Sequence, residues 1–347
     1  MKKNPLGRTG LKVSEFCLGT MTFGSQTRTK EAHAQIDYAL DSGINFIDTA
    51  EMYPVNPVCA ETIGRTERII GLWFEKSFRR SDVIVATKHS GAGLKHVREG
   101  AGSSKQTVRL AVEGSLRRMK TDHVDLYQLH WPNRGSYHFR QNWNFAPRKQ
   151  NRQEVLDNMA EVLEALQAEV ARGTIRHFGL SNESAWGMAQ WLKLAEAGSG
   201  PRAATIQNEY SLLCRLFDTD LAELCHHEEV GLLAYSPLAA GLLTGKYQGG
   251  SVPEASRMSL VPELGGRKTA RVFDAIDDYI DVAFKHDLDP AQMALAWAKQ
   301  RPFMASVIIG ATTLEQLKGL MGAAELTLEK SVLRDLDEVH HAHPMPY

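Results

Sequence analysis

The 347-residue sequence has no apolar run approaching the roughly 18 residues that a membrane-spanning helix needs, so no such helix is expected. It has no excess charge of either sign. A net charge of −1 gives no general attraction to nucleic acid or to an anionic membrane, and neither is expected as a partner. Cysteine is scarce: Cys17, Cys59, Cys214 and Cys225 show no Cys-x-x-Cys spacing. That argues against a disulfide framework and for reduced thiols in a cytoplasmic protein. The opening Met1-Lys2-Lys3-Asn4-Pro5-Leu6-Gly7 carries charge but no apolar core of a leader, so secretion is not expected. His-Glu-x-x-His is missing as well. The pair His226-His227, followed by Glu228-Glu229, lies on a predicted helix with the wrong spacing for zinc, and no metal is expected.

What is present is alternation. Turn residues at Leu6-Gly7-Arg8-Thr9-Gly10 between short extended runs predict an N-terminal β-hairpin. Apolar runs that read as buried strands follow at about 15–20, 44–50, 83–88, 123–130, 175–181, 203–208, 231–236 and 306–310. Helical patterns separate them at about 30–40, 61–76, 105–119, 184–197, 217–228 and 271–300, the last broken before Pro290. In the second helix Ile69, Ile70, Leu72 and Trp73 are expected to form the apolar face. The clearest helix places Val155, Met159, Val162, Leu163, Leu166 and Val170 three and four apart and stops at Gly173. Eight strand–helix repeats without a linker predict one closed (β/α)8 barrel over residues 1–347, an α/β fold with the hairpin ahead of it and extra helices at its C-terminal end. The competing open, doubly wound sheet announces itself with G-x-G-x-x-G after its first strand. Here that stretch is Gly19-Thr20-Met21-Thr22-Phe23-Gly24, which does not match.

In such a barrel the working groups stand at the C-terminal ends of the strands. Three consecutive strands end in Asp48 (with Tyr53 five residues on), in Lys88 and in His130. The other strand ends bring Gly19 and Thr20, Ser181 and Asn182, Gln207, Tyr235, and Gly310 with Thr312. A scaffold has no reason to collect an acid, a phenol, an ammonium and an imidazole on adjacent strands. Proton transfer does.

The blocks Asp48-Thr49-Ala50-x-x-Tyr53, Thr87-Lys88, Leu129-His130, Leu180-Ser181-Asn182, Ile206-Gln207-Asn208, Tyr235-Ser236-Pro237-Leu238 and Ile309-Gly310-Ala311-Thr312 resemble, in order and placement, the signature of the aldo-keto reductases. The resemblance spans about residues 5–340. Gly19 to Gly24, Ala50 to Pro54 and His130-Trp131-Pro132 are similar to the bacterial Tas-type branch and, more distantly, to potassium-channel β subunits. It implies a nicotinamide-dependent reduction of a small-molecule carbonyl, with Tyr53 as general acid. Lys88 would draw the phenol's pKa down, Asp48 would hold Lys88, and His130 would orient the carbonyl beside Trp131. It further implies that Gly19, Thr20, Met21 and Asp48 lie along the cofactor, that Ser181, Asn182 and Gln207 bind the carboxamide, and that Tyr235 stacks on the ring. Ser236, Pro237, Leu238, Gly241 and Lys246 would cover the pyrophosphate. Arg257, Gly310, Thr312 and Gln316 would meet the adenosine end, where a guanidinium favours NADP(H) over NAD(H).

Three stretches stand apart. Where the branch usually carries Glu and Asn after Gln316, this chain has Gly319 and Leu320, which weakens the expected adenine contact. Residues 133–153 contain Arg134, Arg140, Arg148, Lys149 and Arg152 with no acid, interleaved with Tyr137, Phe139, Trp143 and Phe145. Following the His130 strand on the catalytic rim, they are read as a substrate loop, its aromatics walling the pocket and its basic groups favouring an anionic substrate, with a plain solvated loop as the alternative. Residues 89–104, with four glycines, predict a mobile loop.

Overall fold

The computed structural model describes residues 1–347 and contains a closed parallel barrel. Its strands are β3 (Phe16–Gly19), β4 (Phe46–Asp48), β5 (Ile84–His89), β6 (Val124–Leu129), β7 (Ile175–Ser181), β8 (Ala203–Glu209), β9 (Gly231–Tyr235) and β10 (Met304–Ile309). They pair in chain order, and β10 closes on β3. Ahead of them β1 (Lys3–Pro5) and β2 (Lys12–Ser14) form the antiparallel hairpin. Gly7 turns it at φ +55°, and a Cβ there would collide with the carbonyl oxygen of Ala204, so the turn needs glycine twice over.

One helix crosses between each of the next strand pairs: α1 (Thr29–Asp41), α2 (Arg65–Ser77), α3 (Lys105–Met119), α4 (Arg152–Ala171), α5 (Ala185–Glu196) and α6 (Asp220–Glu228). Their starts are chemically marked. Ser104 and Thr107 close a capping box on α3, and the Asn151 and Ser184 side chains accept from the first turns of α4 and α5. Between β9 and β10 lie α7 (Arg257–Leu260), α8 (Val272–Lys285) and α9 (Pro290–Lys299); the break falls before Pro290, with Asp289 as cap. After β10 come α10 (Leu314–Met321) and α11 (Lys330–Ala342). Asp335 of α11 accepts from Lys285 at 2.8 Å and from His286 at 2.7 Å at the end of α8.

Two expectations shift. The second helix starts at Arg65 instead of 61, because Gly64 stands at φ +74° and interrupts it. Its apolar face is Ile69, Ile70, Trp73 and Phe74, while Leu72 is 44% exposed: it falls on the other side of the helix at 100° per residue.

The core has two layers. Seventy buried residues fill the space between strands and helices. A separate set of nine fills the barrel itself: Cys17, Phe46, Ala86, Leu126, Leu233, Ala305 and Ile308 from the strands, with Leu6 and Val13 plugging the floor from the hairpin. Fully burying a side chain such as Phe46 or Leu126 contributes roughly 1.5–3 kcal/mol. Because side chains alternate along a strand, the residues two further on share that interior one layer higher. From β3 to β6 those residues are Gly19, Asp48, Lys88 and Gln128. The barrel is apolar at the bottom and polar at the top, and period two alone puts the polar layer there.

Candidate active site

Asp48, Lys88 and Tyr53 form one buried line at the upper rim. Lys88 Nζ donates to Asp48 Oδ2 at 2.6 Å, to the Thr49 carbonyl at 2.8 Å and to the Tyr53 hydroxyl at 3.4 Å. The Lys88 side chain is fully buried and that of Asp48 is 3% exposed, so removing either charge strands the other. Asp48 Oδ1 accepts from Gln207 Nε2 at 2.8 Å and from Gln128 Nε2 at 3.3 Å. Thr20 fixes the strand end from the opposite side, its Oγ1 donating to the Asp48 carbonyl at 2.8 Å. The tyrosine arrives on the turn after β4, where Tyr53 N donates to the Ala50 carbonyl at 3.1 Å.

Burial opposes charge on Lys88, but Asp48 and the phenol beside it outweigh that and hold the ammonium above its ordinary pKa. Tyr53 departs from expectation. Burial raises its phenol, and Lys88 pulls down too weakly to reverse this while Asp48 pushes up. Burial is the strongest of these effects, and the Asp48 carboxylate 2.6 Å from Lys88 offsets part of the ammonium's pull. His130 is pushed well below its ordinary value by burial and by the Lys88 charge, so it is a neutral imidazole. Its ring meets that of Tyr53 edge-on at 5.8 Å, and its Nδ1 is buried without a partner. Trp131 packs beside it at 5.0 Å.

The neighbouring strand ends interlock. Ser181 Oγ donates to the Gln207 carbonyl at 2.8 Å, Asn182 Nδ2 to the His130 carbonyl at 2.9 Å, and the Tyr235 hydroxyl to Asn182 Oδ1 at 2.7 Å. Asn182 sits at φ +53°, a strained backbone of the kind that gathers at functional sites. Gly19, at the end of the first barrel strand, and Met21, on the turn after it, border the site, Gly19 in register with Asp48 and the Met21 carbonyl holding Val55 N at 3.1 Å.

After Tyr235 the chain turns through positive φ at Ser236 (53°) and, past Pro237, at Ala239 (47°), Ala240 (60°) and Gly241 (94°), around the Leu238 carbonyl that Gly241 N binds at 2.9 Å. A Cβ on Gly241 would press on Lys246. Lys246 and Arg257 have no carboxylate against them; burial and the Arg267 charge press Arg257 below its ordinary value, and it lies near enough to Tyr53 to feel the phenol. Strained backbone flanked by two uncompensated cations suits a polyanionic nucleotide, so the residues present fit the cofactor that the sequence resemblance implies. Gly310 follows β10 and faces the Gly19 carbonyl across the strand pair. Thr312 donates from N and Oγ1 to Gln316 Oε1 at 2.9 and 3.0 Å. Gly319 opens on free space, while Leu320 packs partly against the core.

Two loop expectations are corrected. The 133–153 connection is less free and less basic than its composition suggests. Arg134 pairs with buried Glu183, and Arg140 donates to Glu209 at 2.8 Å, leaving Arg148, Lys149 and Arg152 exposed. Of its aromatics Phe139 reaches Trp131, at 6.2 Å, whereas Tyr137 and Phe145 pack on each other and Trp143 is exposed. The 89–104 segment is pinned. Arg98 donates to both oxygens of Glu51 at 2.6 and 2.9 Å, and the Ala92 carbonyl accepts from Trp131 Nε1 at 3.0 Å.

Reasoning from the sequence missed Gln128, Thr49, Glu51 and Glu209. Gln128 had a signal, as a lone amide in the apolar run two residues before His130. The acids had none, because their partners stand on other connections.

A barrel with this rim defines a class, and the comparisons agree with it. The sequence matches the aldo/keto reductase family over residues 15–341, and the chain belongs to that family of oxidoreductases. It is 42% identical to protein Tas of Escherichia coli K12, over 100% of this chain and 99% of that one. It is 34% identical to the uncharacterized oxidoreductase YrpG of Bacillus subtilis (98% and 96%), and 30% identical to a probable voltage-gated potassium channel subunit beta of Arabidopsis thaliana (99% and 98%).

Proposed function

We propose that this protein is an NADP(H)-dependent reductase that converts an aldehyde or ketone to an alcohol. The observation that carries the reading is the buried Asp48–Lys88–Tyr53 line facing a neutral His130. The cofactor, when bound, supplies hydride from its nicotinamide C4; the rest is the work of the chain. Tyr53, kept protonated by burial, gives its proton to the oxygen of the reduced carbonyl. Lys88, held cationic by Asp48, stabilises the phenolate left behind. His130 donates from its neutral ring to the carbonyl oxygen and orients it, with Trp131 as wall.

Ser181, Asn182 and Gln207 would hold the carboxamide; Gln207 Nε2 is engaged by Asp48, so its Oε1 is the atom left to accept. Tyr235 would lie against the ring, bordered by Gly19, Thr20 and Met21. Ser236 to Leu238, Gly241 and Lys246 would follow the pyrophosphate. Arg257, Gly310, Thr312 and Gln316 would meet the adenosine end, and the guanidinium favours a 2′-phosphate.

Fluorescence titration with NADPH and with NADH, alongside turnover of an aromatic aldehyde, tests this. Tighter NADPH binding with turnover abolished in Tyr53→Phe supports it, and absence of binding to either nucleotide overturns it. The plant relative's name supports a second reading, a nucleotide-binding regulator with little turnover. That reading expects NADPH binding without reduction of any aldehyde in a broad panel.

A further inference from the structure

Glu209 ends β8 two residues beyond Gln207, its carboxylate buried. It gathers three stretches far apart in sequence. Arg267, from the connection after β9, donates from Nε to Glu209 Oε1 at 2.8 Å. Arg140, from the connection after β6, donates from Nη1 to Oε2 at 2.8 Å. Tyr347, beyond α11, donates its hydroxyl to Oε1 at 3.2 Å. Both guanidiniums also grip one turn, Arg140 Nε at the Gly265 carbonyl (2.6 Å) and Arg267 Nη1 at the Leu264 carbonyl (3.0 Å). From there Arg267 Nη2 reaches Ser236 Oγ at 3.3 Å. A single carboxylate thus ties the connection that carries Ser236, Lys246 and Arg257 to the one that carries Phe139 beside Trp131. Charge-assisted bonds in a buried setting are the strong kind, and a displaced guanidinium would leave the buried acid one partner short, which opposes separate movement of the two connections.

We propose that Glu209 is a positioning residue that couples nucleotide retention to carbonyl binding by fastening the cofactor-side connection to the substrate-side one. The proposal rests on the reductase reading. It assigns Glu209 no contact with either ligand; its effect passes through Arg267 to Ser236 and through Arg140 to Phe139.

The test compares the full-length protein with Glu209→Gln, Arg140→Met and Tyr347→Phe. The readouts are stopped-flow release of NADPH, steady-state kcat and KM for an aromatic aldehyde, and the single-turnover rate of hydride transfer at saturating aldehyde. Loss of a charge-assisted bond should speed NADPH release about tenfold in Glu209→Gln and Arg140→Met and raise KM by a similar factor, with the single-turnover rate changed less than about twofold. Tyr347→Phe, which removes a neutral donor, should move release the same way by less. Release and KM equal to wild type, with a lowered unfolding midpoint as the sole change, would reduce Glu209 to a structural acid and overturn the coupling. If Glu209→Gln does not fold, Arg140→Met carries the test, since it leaves the Glu209–Arg267 pair intact. The wild-type protein separates the two claims. Failure to bind NADPH overturns the reductase reading and the coupling with it, whereas normal binding and turnover with unaltered variants overturns the coupling alone.

Discussion

Tyr53 is built to keep its proton. The expectation that Lys88 lowers the phenol counted the ammonium and the Asp48 that holds it, but not burial, which acts most strongly on Tyr53 and raises it. Tyr53→Phe leaves the Asp48–Lys88 pair intact and deletes only the hydroxyl proposed as proton donor. It should cut kcat by about 10² to 10⁴ while NADPH binding, read by fluorescence, stays close to wild type. A Phe variant retaining a tenth of wild-type turnover would mean that another group supplies the proton. Lys88→Met is a different experiment. It leaves Asp48 buried with only the amides of Gln207 and Gln128 facing it, and breaking one side of a buried pair costs about 3–5 kcal/mol. Its urea midpoint should fall accordingly, and adding Asp48→Asn should recover part of the loss. No recovery in the double variant would show that the lysine stem, not the charge, does the stabilising.

At the scale of elements, the strands were legible because burial on both faces leaves a plain apolar run, and because period two carries the polar layer from one strand to the next. Asp48, Lys88 and His130 could therefore be placed on one rim before any coordinate was known. The connections were not legible. A row of arginines without a neighbouring acid reads as a basic surface, yet Arg134 and Arg140 find Glu183, just past β7, and Glu209, at the end of β8, 49 and 69 residues away. The glycine-rich 89–104 segment misled for the same reason, its anchor being Glu51 on the Tyr53 turn. Arg98 holds that anchor from φ +47°, a backbone cost that the bidentate pair offsets. Arg98→Met should therefore loosen the segment, and with it the Ala92 carbonyl that steadies Trp131. The expected result is faster proteolytic cleavage within 89–104 and a raised carbonyl KM with kcat nearly unchanged. Cleavage at the wild-type rate would show that the segment's other contacts, among them those of Asn133 and Asn158 with Ser103, suffice to fix it.

Over the whole molecule, burying imidazoles sets the pH dependence of stability. His89 is pushed down to about 4, chiefly by burial, and burial likewise lowers His130 and His138. For a histidine depressed in the folded state the linkage runs opposite to the usual stabilising case. Above about pH 6.5 neither state holds the proton, and the group has no effect. As pH falls from about 6.5, the unfolded chain takes up a proton that the folded chain refuses, and stability drops until the folded group also titrates. For His89 that window closes near pH 4, and its full extent amounts to about 3 kcal/mol at 1.36 kcal/mol per unit. The buried carboxylates act lower. Glu51 and Glu209 are held below their ordinary values against burial by their arginines, so their contribution is present above about pH 4.5 and is lost only as pH falls through the folded values. The slope between pH 6.5 and 4.5 therefore belongs mainly to the histidines. Urea unfolding at pH 7.5 and 5.5 should show lower stability at 5.5. The difference should shrink in His89→Gln, whose amide can still bond Thr107 and Ser103 but takes up no proton. An unchanged difference in that variant would mean that His89 protonates inside the fold and that its burial is not the source of the acid sensitivity.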